Sequence, residues 1–568
     1  MLNFLILFIS NFLILFSILG YGSFISKLHQ SSNSINIGFK GVYGLFFLII
    51  YSYLSHFFIS HNQKHNVIIF LIGIFIFILN FKKEFNKKNF FILIISFLIL
   101  FIGLLIFKTH DDFPYYHFAY SYYLTQEPMI IGVGQYNHGF RTPSSILYLN
   151  SLFYLPFIKY FSFEIPALLI LGFSNLILFF SIKEHFEKKK FNYHFYLSVL
   201  FLVFFNIFFY RIQEHGTDRS AQILISILFL QVLILINFDK NYKIQISNIL
   251  VLLGIIVSLK AFYILYLIVI FPLVWIFYKE KKLNTSFFYL LRNSYFYMFL
   301  LLMLLVVMVY FFNTGCLIYP LSASCFNNLE WSLGVEQTLK MNNHYNLWSK
   351  AGHTPNFKVS EPEIYLQNFN WVSNWMDLYF FNKVSDFLLG LLLLIITTFA
   401  IFNYKRNKKL NLNYSKKNIF LIYSVVLILF FEWFFNHPSL RYGGYILVCL
   451  LLFIPFSIFL ERNRVSIDKI KLRLQILISI VIIVFISRNL VRINSEIEQY
   501  NYKPFSNSFY HIEKGHFRIQ DSFDDLIKNY KDCKDKLETC DLKKSKSVRE
   551  IYPGRYIFVT HLYLTKND

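Results

Sequence analysis

Acidic side chains are scarce: 32 Asp and Glu face 54 Lys and Arg, for a formal net charge of +22. In a soluble protein that surplus would point to nucleic acid, yet no nucleic-acid-binding module is present. Heptads, repeats of fixed period and low-complexity linkers are also missing, which sets aside coiled coils and solenoids. Only five cysteines occur, and the pair in "CKDKLETC" has neither the spacing nor the neighbouring histidines of a zinc finger. No basic region leads the opening run "MLNFLILFISNFLILFSILGYGSF", which is long for a cleaved signal and reads as a retained span. Charges inside the apolar runs are few beyond Lys260 and Glu432, which argues against a transporter or flippase of lipid-linked saccharide.

What the chain has instead is apolar length. Hydrophobic residues make up 56% of it and aromatic residues 21%, outside the range of a soluble domain. Runs of roughly 20 apolar residues recur, enough for a helix to cross a bilayer. Continuous runs such as "YFYMFLLLMLLVVMVYFF" lack the alternation of a membrane barrel. The expected fold is an all-α polytopic membrane protein of about 14 spans: 2–24, 39–59, 66–81, 90–107, 164–182, 195–211, 219–237, 245–259, 261–278, 294–312, 386–403, 419–435, 442–460 and 473–491. Lys- and Arg-rich connections such as "FKKEFNKKN" and "YKRNKKLNLNYSKKN" then all fall on one side, which marks it as cytoplasmic. The other side receives 108–163, 212–218, 313–385, 436–441 and the tail from 492. The expected location is the cytoplasmic membrane, with two large extracytoplasmic loops and a small extracytoplasmic C-terminal segment.

Cys316 and Cys325 share one outer loop, and Cys533 and Cys540 share the tail. Both close pairs fit disulfides in an oxidising compartment, with free thiols as the alternative. Trp331, Trp348, Trp371 and Trp375 suit an interfacial belt or a sugar-stacking surface. The second half of the first loop reads as an amphipathic helix lying along the membrane face.

Polar groups at span mouths are costly and mark function by default. In "HDDFPYYH", His110 and His117 flank Asp111 and Asp112. One aspartate can cap the following helix, with Pro114 in its first turn. Two together at a low-dielectric boundary are expected to raise a carboxyl pKa, which suits a general base or, equally, oxygen ligands for a divalent metal. "EHGTDRS" gathers Glu214, His215, Asp218 and Arg219 on a tight turn, where Asp218 is also a natural cap. Lys260, between two apolar stretches, either snorkels or binds a phosphate. "NHPSLRYGGY" sets His437, Arg441 and Tyr442 in a short outer connection, where a guanidinium fork suits phosphate. Glu432 is an expected buried partner for Arg441 or another cation. An acid beside cations at headgroup height fits a lipid phosphate as substrate, with the cation holding the phosphate and the acid activating an attacking hydroxyl. Asp112 and Arg441 should then open on one outer cavity, within about 15 Å of each other.

These motifs resemble the GT-C superfamily of polytopic membrane glycosyltransferases, such as bacterial enzymes similar to protein O-mannosyltransferases and lipid A aminoarabinose transferases. The similarity covers roughly Phe90 to Leu460. It rests on "HDDFPYYHF", the first-loop run "TPSSILYLNSLFYLPFIKYF", "VSLKAFYIL", the turn "TGCLIYP" and "HPSLRYGGYIL". The resemblance implies a membrane core over 90–460 with outer loops 108–163 and 313–385, and the leading transmembrane helices over 1–89 are an addition to the superfamily's pattern. A last transmembrane helix over 461–491 and an extracytoplasmic tail over 492–568 follow. It implies an inverting transfer of a sugar from a polyprenyl-phosphate carrier to an extracytoplasmic acceptor. Asp111 or Asp112 would be the base, and Arg441 and Lys260 would meet the carrier phosphate. His110, His117, Arg141, His215, Asp218, His437 and Tyr442 complete the expected substrate-binding set. Here the acidic motif follows the fourth span, whereas in that superfamily it follows the first. A surface-polysaccharide polymerase or ligase, acting on a lipid pyrophosphate, shares this chemistry and stands beside the first reading.

Overall fold

A computed structural model describes residues 1–28, 35–238, 242–402, 416–463, 467–535 and 547–559. Among these, 13 helices are long and apolar enough to cross a membrane, from Leu2–Ser26 to Lys469–Tyr500. Tyr193–Phe208 is apolar but has 16 residues, about 24 Å at the helical rise, short of a bilayer core of about 30 Å. Each expected span coincides with one of these helices. The chain is an all-α multi-pass membrane protein, and the described strands form two short antiparallel hairpins.

Two boundaries move. The helical run Val372–Phe402 begins well before 386 and includes a π-helical stretch, Met376–Val384, so the second loop ends near Trp371. The last helix continues past 491 to Tyr500. Apolar length locates the part of a helix that meets lipid, while its backbone ladder continues into water without a hydrophobic signature.

Helix Gly216–Leu235 is 89% buried over its apolar window, whereas Gln63–Glu84 is 17% buried; the first therefore lies at the centre of the bundle and the second faces lipid. Packing in lipid relies on close backbone approach rather than on water exclusion. The leading helices show this directly. A Cβ on Gly20 would stand 2.0 Å from the Gly73 carbonyl oxygen, and one on Gly22 would stand 1.7 Å from that of Lys40. Lys40 then reaches Glu84 in a buried ion pair of 2.6 Å. We expect Gly22→Val to cost about 1–3 kcal/mol, the range for overpacking a tight core, read as a lower thermal unfolding midpoint in detergent.

The first loop does not lie along the membrane face. Every residue of its helix Ser145–Leu152 is buried. Tyr148 stacks on Tyr53 at 4.1 Å between ring centroids, and the Ser144 hydroxyl donates to the Leu259 carbonyl at 2.6 Å. Its polar residues, Asn150 and Ser151, meet protein rather than water, and this is why the amphipathic pattern misleads. The tail folds back on the same loop: Phe558 N–H donates to the Ile131 carbonyl at 2.9 Å.

Candidate active site at the converging helix ends

The segments around Asp112, Asp218, Lys260 and Arg441 meet at one end of the bundle. Arg441 Nη2 donates to Asp112 Oδ2 at 2.8 Å, and Arg441 Nε donates to Asp218 Oδ2 at 3.3 Å. Lys260 Nζ pairs with the other oxygen of Asp218. The separation between Asp112 and Arg441 is thus that of a direct ion pair. The Tyr442 ring lies beneath both cations, 4.4 Å from Lys260 Nζ and 5.4 Å from the Arg441 guanidinium carbon.

Local structure explains each placement. The helix before Asp112 ends at Leu105, and the chain runs on as a strap. Phe107 N–H donates to Glu496 at 2.7 Å, Arg492 donates to the Lys108 carbonyl at 3.3 Å, and His110 N–H donates to the Gln213 carbonyl at 3.2 Å. Asp112 precedes a π-helical turn, Phe113–His117, with Pro114 near its start, but its side chain makes no capping bond. The carboxylate goes to Arg441 instead, so the capping reading fails for it. Asp218 sits in the first turn of Gly216–Leu235, where the helix dipole favours an anion. Lys260 occupies an extended break between the helical runs ending at Leu259 and starting at Ala261, so its side chain leaves both.

The turn carrying Arg441 is clamped by aromatic donors. Trp375 Nε1 donates to the Pro438 carbonyl at 2.9 Å, Trp433 Nε1 to the Ser439 carbonyl at 2.8 Å, and Leu440 N–H to the Tyr379 hydroxyl at 2.8 Å. Gly443 follows at φ +105°, a conformation that L side chains rarely adopt. Trp371 and Trp375 are therefore buried in the scaffold rather than forming a belt or an open stacking surface.

Asp111 and Asp112 separate cleanly. The Asp111 side chain is 86% exposed and lies 3.5 Å from Lys108, away from the cluster. The two carboxylates do not converge as metal ligands, and among the described residues no group of three or more His, Cys, Asp or Glu is placed to hold a metal. The expected rise in carboxyl pKa does not occur at Asp112. Burial alone pushes it up, but the charge and hydrogen bond of Arg441, with His110 and His117 nearby, outweigh burial and hold it below its usual range.

Other expected residues divide. His110 accepts the Asp112 N–H on Nδ1 at 3.0 Å, and burial lowers its pKa, so it is neutral near pH 7. His117 is buried beside it, its ring 5.6 Å away and its pKa lowered to about 3 by burial. His215 points elsewhere: its Nε2 lies 2.7 Å from the Phe209 carbonyl, and it shapes the turn rather than the site. Arg141 is buried and donates to the Gly134 carbonyl at 2.9 Å; its charge reaches Tyr345, which also lies in the fields of Tyr442 and Tyr116. Glu432 bonds Asn436 at 3.1 Å and is not the partner of Arg441. Glu214 joins Arg492 at 2.9 Å and Arg211 and Arg219 at 3.5 Å, tying the turn to the last helix. Cys316 and Cys325 form a disulfide. Cys533 is also disulfide-bonded, while Cys540 lies outside the described residues.

Several residues around the cluster were not expected from the sequence. Gln222 donates to the Arg441 carbonyl at 3.0 Å and accepts the Ile446 N–H at 3.2 Å; a glutamine within an apolar run was the available hint. Tyr116 is partly buried in the fields of Asp112, Arg441 and Asp218, and His138 stands in those of Arg141 and Asp112. Arg492 and Glu496 fall in the expected tail, whereas they lie on the last helix, which runs to Tyr500.

Fold and geometry together define a polytopic membrane protein with a charged, aromatic-walled site where its helix ends converge. Residues 4–448 match the model of a family described as a domain of unknown function (DUF8201), and the chain belongs to that family. No curated protein and no solved structure matches it.

Proposed function

We propose that the protein is a membrane glycosyltransferase that moves a sugar from a polyprenyl-phosphate carrier to an acceptor outside the cytoplasmic membrane. The observation that carries this reading is the Asp112–Arg441–Asp218–Lys260 network. It gathers two carboxylates and two cations where helix ends converge, and the cations suit a lipid phosphate. The Cys316–Cys325 disulfide on the same face supports an oxidising, extracytoplasmic side.

At rest, Arg441 and Lys260 are neutralised by Asp112 and Asp218. An arriving phosphate takes the place of Asp112 on Arg441. Asp112, released from its cation and now beside a phosphate anion, becomes a stronger base. It accepts the proton of the acceptor hydroxyl as that oxygen attacks the anomeric carbon. The bond from that carbon to the phosphate oxygen breaks, and its electron pair leaves with the phosphate, whose charge Arg441 and Lys260 meet. Asp218 holds both cations in place and is a positioning residue.

A deletion strain should accumulate carrier-linked sugar and lose one envelope glycan, both restored by the wild-type chain. Unchanged lipid-linked sugar and glycan profiles would rule the proposal out.

A further inference from the structure

Lys350 is a largely buried cation. It is 7% exposed and lies 5.2 Å from the centroid of the fully buried Trp371 ring. Among the described residues no carboxylate pairs with it. Burial lowers its pKa, and no acid opposes that shift. Drawing an ammonium into the protein without a carboxylate partner is costly, so this position favours a bound anion. The aromatic face offsets part of that cost.

Its surroundings point to the missing anion. His437 lies in the fields of both Lys350 and Lys260, and burial with those two charges lowers its pKa to about 4. It is therefore neutral near pH 7 and offers a ring N–H rather than a charge. The His437 ring stands 6.1 Å from Tyr442, which carries Lys260 on its face. The Ser349 hydroxyl donates to the Asn436 carbonyl at 3.5 Å, which sets Lys350 beside the His437 turn, and Lys260 lies on its other side over Tyr442. Beyond Trp371 lie Phe369 and Phe435, 59% and 43% exposed, with ring centroids 5.6 Å apart, an apolar outlet at the C-terminal end of helix Lys416–Asn436.

We infer that the carrier binds as a polyprenyl diphosphate, with its sugar-bearing phosphate on Arg441 and Lys260, its second phosphate on Lys350 and His437, and its chain leaving past Phe369 and Phe435. This rests on the carrier-lipid reading above and narrows it. The bond broken remains the one between the anomeric carbon and the first phosphate's oxygen, and the diphosphate leaves with the electron pair.

The test uses the full-length protein in detergent with farnesyl diphosphate, farnesyl phosphate and inorganic pyrophosphate as probes. Wild type should bind farnesyl diphosphate roughly 10- to 100-fold more tightly than farnesyl phosphate, the worth of one charge-assisted hydrogen bond. Farnesyl phosphate carries only the chain-bearing phosphate, so Lys350→Gln should weaken both lipids by roughly 10-fold or more, and Lys350→Arg should restore them. Arg441→Gln should weaken farnesyl diphosphate and cancel its preference over farnesyl phosphate. Equal affinities in wild type, or Lys350→Gln weakening neither lipid, would overturn the second-phosphate site while leaving the carrier reading intact. Pyrophosphate binding as tightly as farnesyl diphosphate would overturn the lipid assignment. Failure of every probe to bind wild type would overturn both.

Discussion

Asp112→Asn is expected to slow sugar transfer by about 10²–10⁴-fold, the usual contribution of a positioned general base, while Asp111→Asn retains near wild-type rate. The contrast isolates chemistry from local acidity, because the residues are adjacent in sequence and only Asp112 faces Arg441. Asparagine still offers Arg441 an acceptor oxygen, so the turn should stay folded. Transfer of labelled sugar in nanodiscs, with Asp111→Asn alongside, measures it. Equal losses in both variants, or an active Asp112→Asn, would exclude Asp112 as the base. The pH dependence of stability has a definite sign. The Asp112 carboxyl is held below its ordinary value of 3.8. The pair therefore contributes fully above that value and loses its contribution as pH falls through the depressed folded value.

Arg441→Ala should produce the second large effect, on two readouts that respond differently. Asp218 keeps Lys260, but Asp112 loses its cation. We expect a stability loss of about 1–3 kcal/mol, the cost of leaving a partly buried acceptor unsatisfied, and loss of carrier binding. Adding Asp112→Asn should recover part of the stability, since the orphaned charge is gone, but none of the transfer. Thermal unfolding and lipid-phosphate binding, measured on both single variants and the double, separate these outcomes. Normal binding by Arg441→Ala would remove Arg441 from the carrier site.

Much of the membrane fold was legible because lipid imposes a strict rule: a crossing segment must satisfy its own backbone and present apolar side chains. The approach of Asp112 to Arg441 was legible for a related reason, since ionisable groups at span mouths seldom occur without partners; that Asp218 joins Arg441 to Lys260 was not, because an acid in a helix's first turn reads equally as a cap. Which aspartate faces the site was not, because neighbouring residues of an irregular strap have no period from which to read direction. Lys350 was hidden among the polar residues of a long loop, where a lysine ordinarily signals only solvent. The Ser145–Leu152 helix misled because a polar stripe looks the same whether it meets water or buried protein.

The strap at Phe107 has a consequence for how the protein is made. Its N–H awaits the carboxylate of Glu496, 389 residues later in the chain. At synthesis rates of about 5–20 residues per second, that partner emerges roughly 20 to 80 s afterwards. Asp112 waits nearly as long for Arg441, 329 residues downstream. The early helices must therefore insert and persist with their acidic mouth unclosed, and the tightly packed glycine contacts of the first three helices give the nascent chain something stable to hold while it waits.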